Sequence, residues 1–545
     1  MTKTVISTRF KSVFVASLAS MTISYVLILT DSVVAGQFVG DAAVAAMTLV
    51  APITTFITFL SYMVADGLAM MFSYAKGKND RTKANELFGM GIIASVATGA
   101  VVTIVLVAFR SEILSIWDIS PEYMEYAVDY YRGLMFMALP CILNIFFYTI
   151  YVAEGEENIC VRASAAMFVV NLILDIVLGY KIGVIGLGIA TTIGNLVSFL
   201  YHVPYLFSAK CQLRFVKYWN GREMWQGIFY SWYHSMDTLC LALLPLAFSA
   251  FVLSHFGEMH LISVTMINNL LTLLVAIYTG IVDCLQPMIC QYHAEGALKS
   301  VIKTMRLGIG STVAVTVASI AFGMVFAEFL PGLFGVPEHD PLYADAVMSA
   351  RVFMPFTIFL GVTLMFSNYY IYVERLNLGA LIKFLLLLAL PVAGMTAGFF
   401  GLHWMWFGVG MSFVAALFIN WLMTRNKFGL LLIDLRESGR QFSLDIQAAQ
   451  ENLPELRTAL EKYFSAAKFA SNQFFTALVE ELFKVYAARA GDFQLEVTII
   501  PAGERTTLIF RDNGKPEAPQ SPLLDKVREK SYMISGDENK LVVVV

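Results

Sequence analysis

The chain has 545 residues, 58% of them hydrophobic and only 14% charged, with a mean hydropathy of +0.68 and a net charge of −4. Water-soluble domains carry about 25% charged residues, so the composition excludes a soluble globular protein, and the slight negative balance argues against nucleic acid as a partner. The six cysteines, Cys141, Cys160, Cys211, Cys240, Cys284 and Cys290, show no CxxC pair and no metal-ligand spacing. They read as small core residues.

The first thirty residues, "MTKTVISTRFKSVFVASLASMTISYVLILT", are basic and then apolar, as in a signal peptide. The apolar run is long and no clean A-x-A site follows it, so it reads as a retained first span. About twenty apolar residues cross a bilayer as a helix. Twelve such segments are predicted, near 13–35, 47–75, 86–108, 129–152, 163–184, 186–208, 227–254, 262–290, 306–329, 346–372, 379–400 and 404–424. The expected fold is an all-α polytopic membrane protein in two six-helix lobes, residues 1–215 and 216–430. An even span count leaves both termini on one side. The loops "YAKGKNDRTKAN", "SAKCQLRFVKYWNGREMW", "EGALKSVIKTMRLG" and "MTRNKFG" are rich in Lys and Arg. The opposite loops, "GQFVGDAAVAA", "SIWDISPEYMEY", "SHFGEMH" and "FGVPEHDPLYAD", lean acidic. The positive-inside rule then predicts a cytoplasmic-membrane protein with both termini in the cytoplasm.

The halves repeat each other. "FVGDAAVAAMTLVAPITTF" pairs with "HFGEMHLISVTMINNLLTL", "YMVADGLAMMFSYAKGKNDRTKANELFGMGI" with "YTGIVDCLQPMICQYHAEGALKSVIKTMRLGI", "LSIWDISPEYMEYAVDYYRGLMF" with "PGLFGVPEHDPLYADAVMSARVF", and "YTIYVAEGEENICVRASA" with "YYIYVERLNLGALIK". The offset is steady at roughly 217–221 residues. Parallel six-span repeats are a transporter architecture, with substrate handled between the lobes.

Ionisable residues inside spans mark ion and substrate paths. The first half has Asp31, Asp66 and Asp175; Asn171 and Asp175 of "NLILD" are four apart and share a helix face. Span six, "GLGIATTIGN", adds Thr191, Thr192 and Asn195 behind glycines that permit close helix approach. Two carboxylates, an amide oxygen and a hydroxyl suit a hard monovalent cation and equally suit a shared proton. Asn171 alone would read as interhelical glue; Asp175 argues for more, because glue needs no charge. The second half breaks the symmetry, keeping His234 and Asp237 on span seven and Asp283 on span eight, with no carboxylate on span eleven. These are further polar residues of the cavity, although His234 reads more readily as a hydrogen-bonded interior residue than as a proton carrier, and Asp66 and Asp283 read equally as caps or partners of nearby cytoplasmic lysines.

"DSVVAGQFVGDAAVAA", "YAKGKNDRTKAN", "NLILD" with "GLGIATTIGN", and the six-plus-six repeat together resemble the multidrug and toxic compound extrusion (MATE) family over about residues 8–428. The resemblance implies an antiporter, not an enzyme, that exports organic and often cationic compounds. Na⁺ or H⁺ would be the coupling ion, with no tightly bound cofactor. It assigns the cation site to Asp31, Asn171, Asp175 and a span-six threonine, Thr192. The acidic pair that some branches carry in the second lobe is missing. The partners it implies are membrane lipid and small organic cations.

Hydropathy collapses after about residue 430. The tail, 431–545, is predicted as a small α/β sandwich in the cytoplasm, with strands at 441–446, 493–500, 505–511 and in "NKLVVVV", and helices near 448–466, 471–489 and 521–529. "TALVEELFKVY" followed by "LIFRDNGKPEAP" resembles the ATP-binding domain of histidine kinases and anti-sigma-factor kinases. Asp512, Gly514 and Pro516 match its D-x-G-x-P turn, and Glu480 or Glu481 its acidic residue. The Mg²⁺-holding Asn falls on Val485, and "SPLLDKVREK" replaces the Gly-rich lid. A degenerate domain that regulates, or that binds a cytoplasmic protein partner, is expected. Two rival functions are a lipid-linked-precursor flippase, disfavoured because Arg132, Arg162 and Arg351 lie near span ends, and a membrane sensor that signals through the tail.

Overall fold

The computed structural model describes residues 4–114, 121–257, 260–329, 331, 342–426, 429–467, 473–489, 491–502, 505–535 and 538–545. Parts of the acid-leaning loops, at 115–120, 258–259 and 332–341, lie outside the described residues. The chain forms two compact units: residues 13–76 with 80–235, and residues 1–12, 77–79 and 236–545.

The first unit holds most of α1 (Val5–Val34) and α2 (Asp41–Gly77), then α3 (Arg81–Ala108), α4 (Pro121–Leu134), α5 (Ala138–Glu154), α6 (Glu157–Ile182), α7 (Val184–Leu206) and α8 (Gly221–His234). Helix α4 meets α5 at a bend of 53°, so the predicted fourth span is a broken one. Helices α6 and α7 form a tight hairpin whose turn residue, Gly183, has φ +67°, a left-handed conformation suited to glycine. Helix α8 is a separate amphipathic piece, with polar and apolar residues segregated at helical spacing. Asn220 caps its start, accepting from the backbone N–H of Arg222 at 3.1 Å. Lys83 ties the same start to α3 through Glu223 at 2.7 Å. The helix breaks at Ser235, so the seventh span begins at Met236 and α8 packs with the first half of the chain.

The second unit continues with α9 (Met236–His255), α10 (Leu261–Ala294), α11 (Leu298–Val325), α12 (Leu342–Phe353) and α13 (Thr357–Tyr372). Helix α14 (Leu376–Phe384) runs on through a π-helical turn, Leu385–Ala389, and shorter helical pieces to make one span, Leu376–Phe400, followed by α15 (Leu402–Thr424). Among the described residues ten helices are long and apolar enough to cross a membrane, or eleven with the bent α4–α5 pair as one. Helix α1, 30 residues long, lies where the sequence predicts the first span. Five cysteines are buried and Cys211 is half-buried.

The tail is a five-stranded antiparallel sheet in the order β1-β2-β3-β5-β4: β1 Phe442–Gln447, β2 Gln494–Ala502, β3 Arg505–Asp512, β4 Glu529–Ser535 and β5 Glu538–Val544. Helices α16 (Leu453–Ala467) and α17 (Gln473–Ala487) cover one face. Leu478, Leu482, Phe483 and Tyr486 pack there against Val497, Ile499, Leu508 and Phe510, and all are fully buried. Where a helix near 521–529 is predicted, the chain makes only a 3₁₀ turn, Pro522–Lys526, and then strand β4, which the sequence reading lacks.

Candidate functional site

Asp31 stands on α1, and Asn171 and Asp175 on α6, all within the first unit. Asn171 and Asp175 are each only 1% exposed, and Asp31 is half-buried. In the orientation that its neighbours require, the Asn171 amide donates to Asp31 Oδ1 at 2.9 Å and to Asp175 Oδ2 at 3.0 Å. Its oxygen accepts from the backbone N–H of Thr191 at 3.3 Å. One amide thus uses both donors on two carboxylates from different helices. Two carboxylates brought together in a low dielectric repel strongly, and a shared proton or a small cation is the chemistry that relieves such a pair.

Helix α7 supplies the third side by close approach. A Cβ at Gly188 would stand 2.5 Å from the carbonyl oxygen of Tyr130 and 2.9 Å from Gly133 Cα, so only glycine lets α7 cross α4 at this distance. The crossing sets Tyr130, 6% exposed, beside Thr191 and within electrostatic reach of Asp31 and Asp175. Tyr130 is the site residue that sequence reasoning missed. Its one signal is its place in "DYYRG", three residues ahead of a glycine that matches the glycines of span six.

Thr192 does not take its expected place. Its hydroxyl donates to the Gly133 carbonyl at 2.8 Å, which makes it a tie between α7 and α4. The span-six contribution comes instead from Thr191, through its backbone; its hydroxyl donates to Leu187 O at 3.1 Å. Asn195 donates to Thr191 O at 3.0 Å, along its own helix.

The other predicted cavity residues are not gathered with this cluster. His234 ends α8 and lies 3.1 Å from Asp66 Oδ2 on α2, so it belongs to the first unit and not to a second-lobe cavity. The reason is local: the N–H of Gly67 donates to Ser231 Oγ at 2.8 Å, and α2 and α8 touch backbone to backbone at Gly67 and Gly227. Asp237 begins α9 and faces Lys383 of α14 across 3.9 Å, with Lys383 fully buried. Asp283 is half-buried on α10 in the second unit.

In the tail, Asp512 Oδ1 accepts from Asn539 Nδ2 at 2.9 Å and from Gly514 N–H at 3.0 Å. The Arg489 guanidinium lies over the Tyr486 ring, 4.3 Å from its centre, with Nη1 3.5 Å from Asp512 Oδ2. Burial pushes the Asp512 carboxyl above the usual range, against the pull of the Asn539 bond. Ser521 Oγ donates to Glu481, and Glu480 pairs with Arg457 at 2.8 Å.

Two runs of apolar helices, with carboxylates and an amide converging inside one of them, define a multi-pass membrane transporter. The chain belongs to the MATE family: the MatE family model matches residues 16–177 and 235–395. Members of this family are transporters and not enzymes. Among relatives, the multidrug export protein MepA of Staphylococcus aureus (strain NCTC 8325 / PS 47) is 22% identical over 335 residues, covering 60% of this chain and 72% of MepA. MepA of Staphylococcus haemolyticus (strain JCSC1435) is 25% identical over 170 residues, 31% of this chain and 37% of that protein. The solved structure of MATE in the bent conformation superposes with a TM-score of 0.70 at 19% identity, covering 77% of this chain and 95% of the other. A MOP superfamily transporter from Pyrococcus furiosus gives the same score and identity over 78% and 96%. The MatE match ends at residue 395, before the tail.

Proposed function

We propose that this protein is a cation-coupled antiporter that exports organic cations across the cytoplasmic membrane, and that Asp31, Asn171 and Asp175 form its coupling site for Na⁺ or H⁺. The observation that carries the reading is the single amide bridging two buried carboxylates on separate helices. Ion and drug each favour one packing of the helices around that pair, so exchange is linkage between two ligands on a two-state element. The related proteins are multidrug exporters by name. The Lys- and Arg-rich loops support termini on the cytoplasmic side. A flippase reading is weakened because Arg132 and Arg351, both exposed, pair with Asp129 and Glu328 and do not line a deep anion site.

The tail is read as a degenerate kinase-type domain kept for regulation. Its residues do not fit a magnesium nucleotide. Val485 offers no oxygen, Glu481 is engaged by Ser521, and Asp512 is occupied by Asn539, Gly514 and Arg489.

The test is efflux of a fluorescent organic cation from proteoliposomes, with Na⁺ and pH gradients imposed separately. Export driven by one gradient is expected, and Asp175→Asn is expected to abolish it, together with drug resistance in cells, at normal expression. Full resistance in that variant would refute the site.

A further inference from the structure

Strand β2, "QLEVTII", alternates apolar and polar residues, a pattern that predicts one face in the core and one in water. Both faces are buried: Glu496 and Thr498 are 0% exposed, as are Leu495 and Val497. The polar face carries a row across four strands, Asp445 opposite Glu496, Glu496 opposite Arg511, and Arg511 opposite Lys540. Something with charges of its own covers it, since buried ions need partners.

The cover comes from the transporter part of the same unit. Lys303, near the start of α11, reaches Asp445 Oδ2 at 2.7 Å. Glu295, just past α10, binds Arg511 and stands 2.9 Å from Lys540 Nζ. Within the sheet Arg511 meets Glu496 at 2.7 Å, and Ser300 Oγ donates to Glu496 at 3.2 Å. The last partner is Arg9 in the foot of α1, whose Nη1 is 2.6 Å from Glu538 Oε2 and 3.4 Å from Gln291 Oε1. Four cations (Arg9, Lys303, Arg511 and Lys540) thus meet four carboxylates (Glu295, Asp445, Glu496 and Glu538). Their charges cancel, as burial of Arg511, Lys540, Glu295, Glu496 and Glu538 demands; the Lys303–Asp445 pair lies at the partly exposed edge.

Helix α1 is divided between the units. Residues 5–12 group with the tail and the second half, whereas residues 13–34, including Asp31, group with the first. We infer that the tail is a clasp on α1: the Arg9–Glu538 pair holds the foot of the helix whose other end carries Asp31, and so restrains the export cycle. The restraint on the cycle rests on the reading of Asp31 as a coupling residue; the clasp itself does not. A helix anchored at one end exchanges more slowly between two packings, so releasing the anchor speeds transport.

The test uses the full chain. The double variant Arg9→Gln with Glu538→Gln removes both charges together and leaves no ion unpaired. It is expected to raise hydrogen exchange over residues 5–20 by about tenfold and to speed cation efflux from proteoliposomes severalfold. Glu538 also faces Arg511 at 3.5 Å, so a charge swap would set cation against cation. The conservative Arg9→Lys instead keeps the pair and is expected to keep both values near those of the unaltered chain, which separates loss of the charge from misfolding. A third variant, Lys303→Gln with Asp445→Asn, breaks docking on α11 and is expected to leave exchange at 5–20 unchanged. Unchanged exchange in the first variant overturns the clasp, as does equal exchange in the first and third. Raised exchange with equal or slower efflux overturns the restraint. If the unaltered chain shows no ion-driven efflux, the coupling reading fails, while the exchange arm still reads the clasp.

Discussion

Asn171 is where one side chain decides most. Its two amide protons are both spent on carboxylates, so Asn171→Leu leaves Asp31 and Asp175 facing each other without a bridge. Efflux by that variant is expected to fall at least tenfold with expression retained, measured beside Asp175→Asn. The threonines make a sharper contrast. Because Thr191 acts through its backbone N–H, Thr191→Ala is expected to keep efflux within about threefold, which a transport assay checks directly. Thr192→Ala strips a hydrogen bond from the Gly133 carbonyl, costing about 1 kcal/mol of stability, read as a lowered Tm in detergent. The "NLILD" spacing makes Asn171 and Asp175 legible as neighbours on one face. Which threonine turns its hydroxyl away depends on where Gly133 lies, 59 residues earlier in the chain, and no spacing rule contains that.

At the scale of elements, the close contact of α2 with α8 carries the arrangement, and its two glycines are not equivalent. A Cβ at Gly67 would fall 1.8 Å from the Gly227 carbonyl oxygen, a backbone atom that cannot step aside. A Cβ at Gly227 would meet the flexible end of Leu68 at 3.1 Å. Gly67→Ala is therefore expected to destabilise the protein by about 1–3 kcal/mol, and Gly227→Ala by clearly less, as thermal unfolding of the two variants will report. The break between α8 and α9 escapes hydropathy because "GIFYSWYHSMDTLCLALL" is apolar on both sides of Ser235. Amphipathicity across 221–234 is the signal that separates the pieces. Strand β4 is missed for a different reason. It is an edge strand, and "EKSYMIS" carries the charges that protect an edge rather than the apolar run that announces a strand.

For the molecule as a whole, tail docking sets a pH limit. Burial opposes charge on Glu496, but Arg511 and then Lys303 outweigh it and hold the carboxyl below its ordinary 4.5. Burial likewise opposes charge on Glu538, and Arg9 and Arg511 hold it low. A carboxyl lowered in the folded state contributes stability that is whole above its unfolded value and is lost as pH falls through its folded value. Asp445, raised by burial and by Glu496, works in the opposite sense. The expected outcome is protection of β1, β2 and β5 from hydrogen exchange that holds from neutral pH down to about 4.5 and falls steeply below it. Loss of protection already near pH 6 would contradict the depressed carboxylates.

What the sequence determined by itself is whatever depends on near neighbours. Hydropathy over about twenty residues located the apolar helices, alternation found four strands of the tail, and a four-residue spacing put Asn171 beside Asp175. The tertiary structure alone decided which distant groups meet: Asn171 with Asp31, Thr192 with Gly133, His234 with Asp66, Arg9 with Glu538. Periodicity reports which face of an element is polar, but not whether water or an opposite charge will cover it. In the tail sheet that difference turned an expected solvent face into a buried, charge-balanced contact.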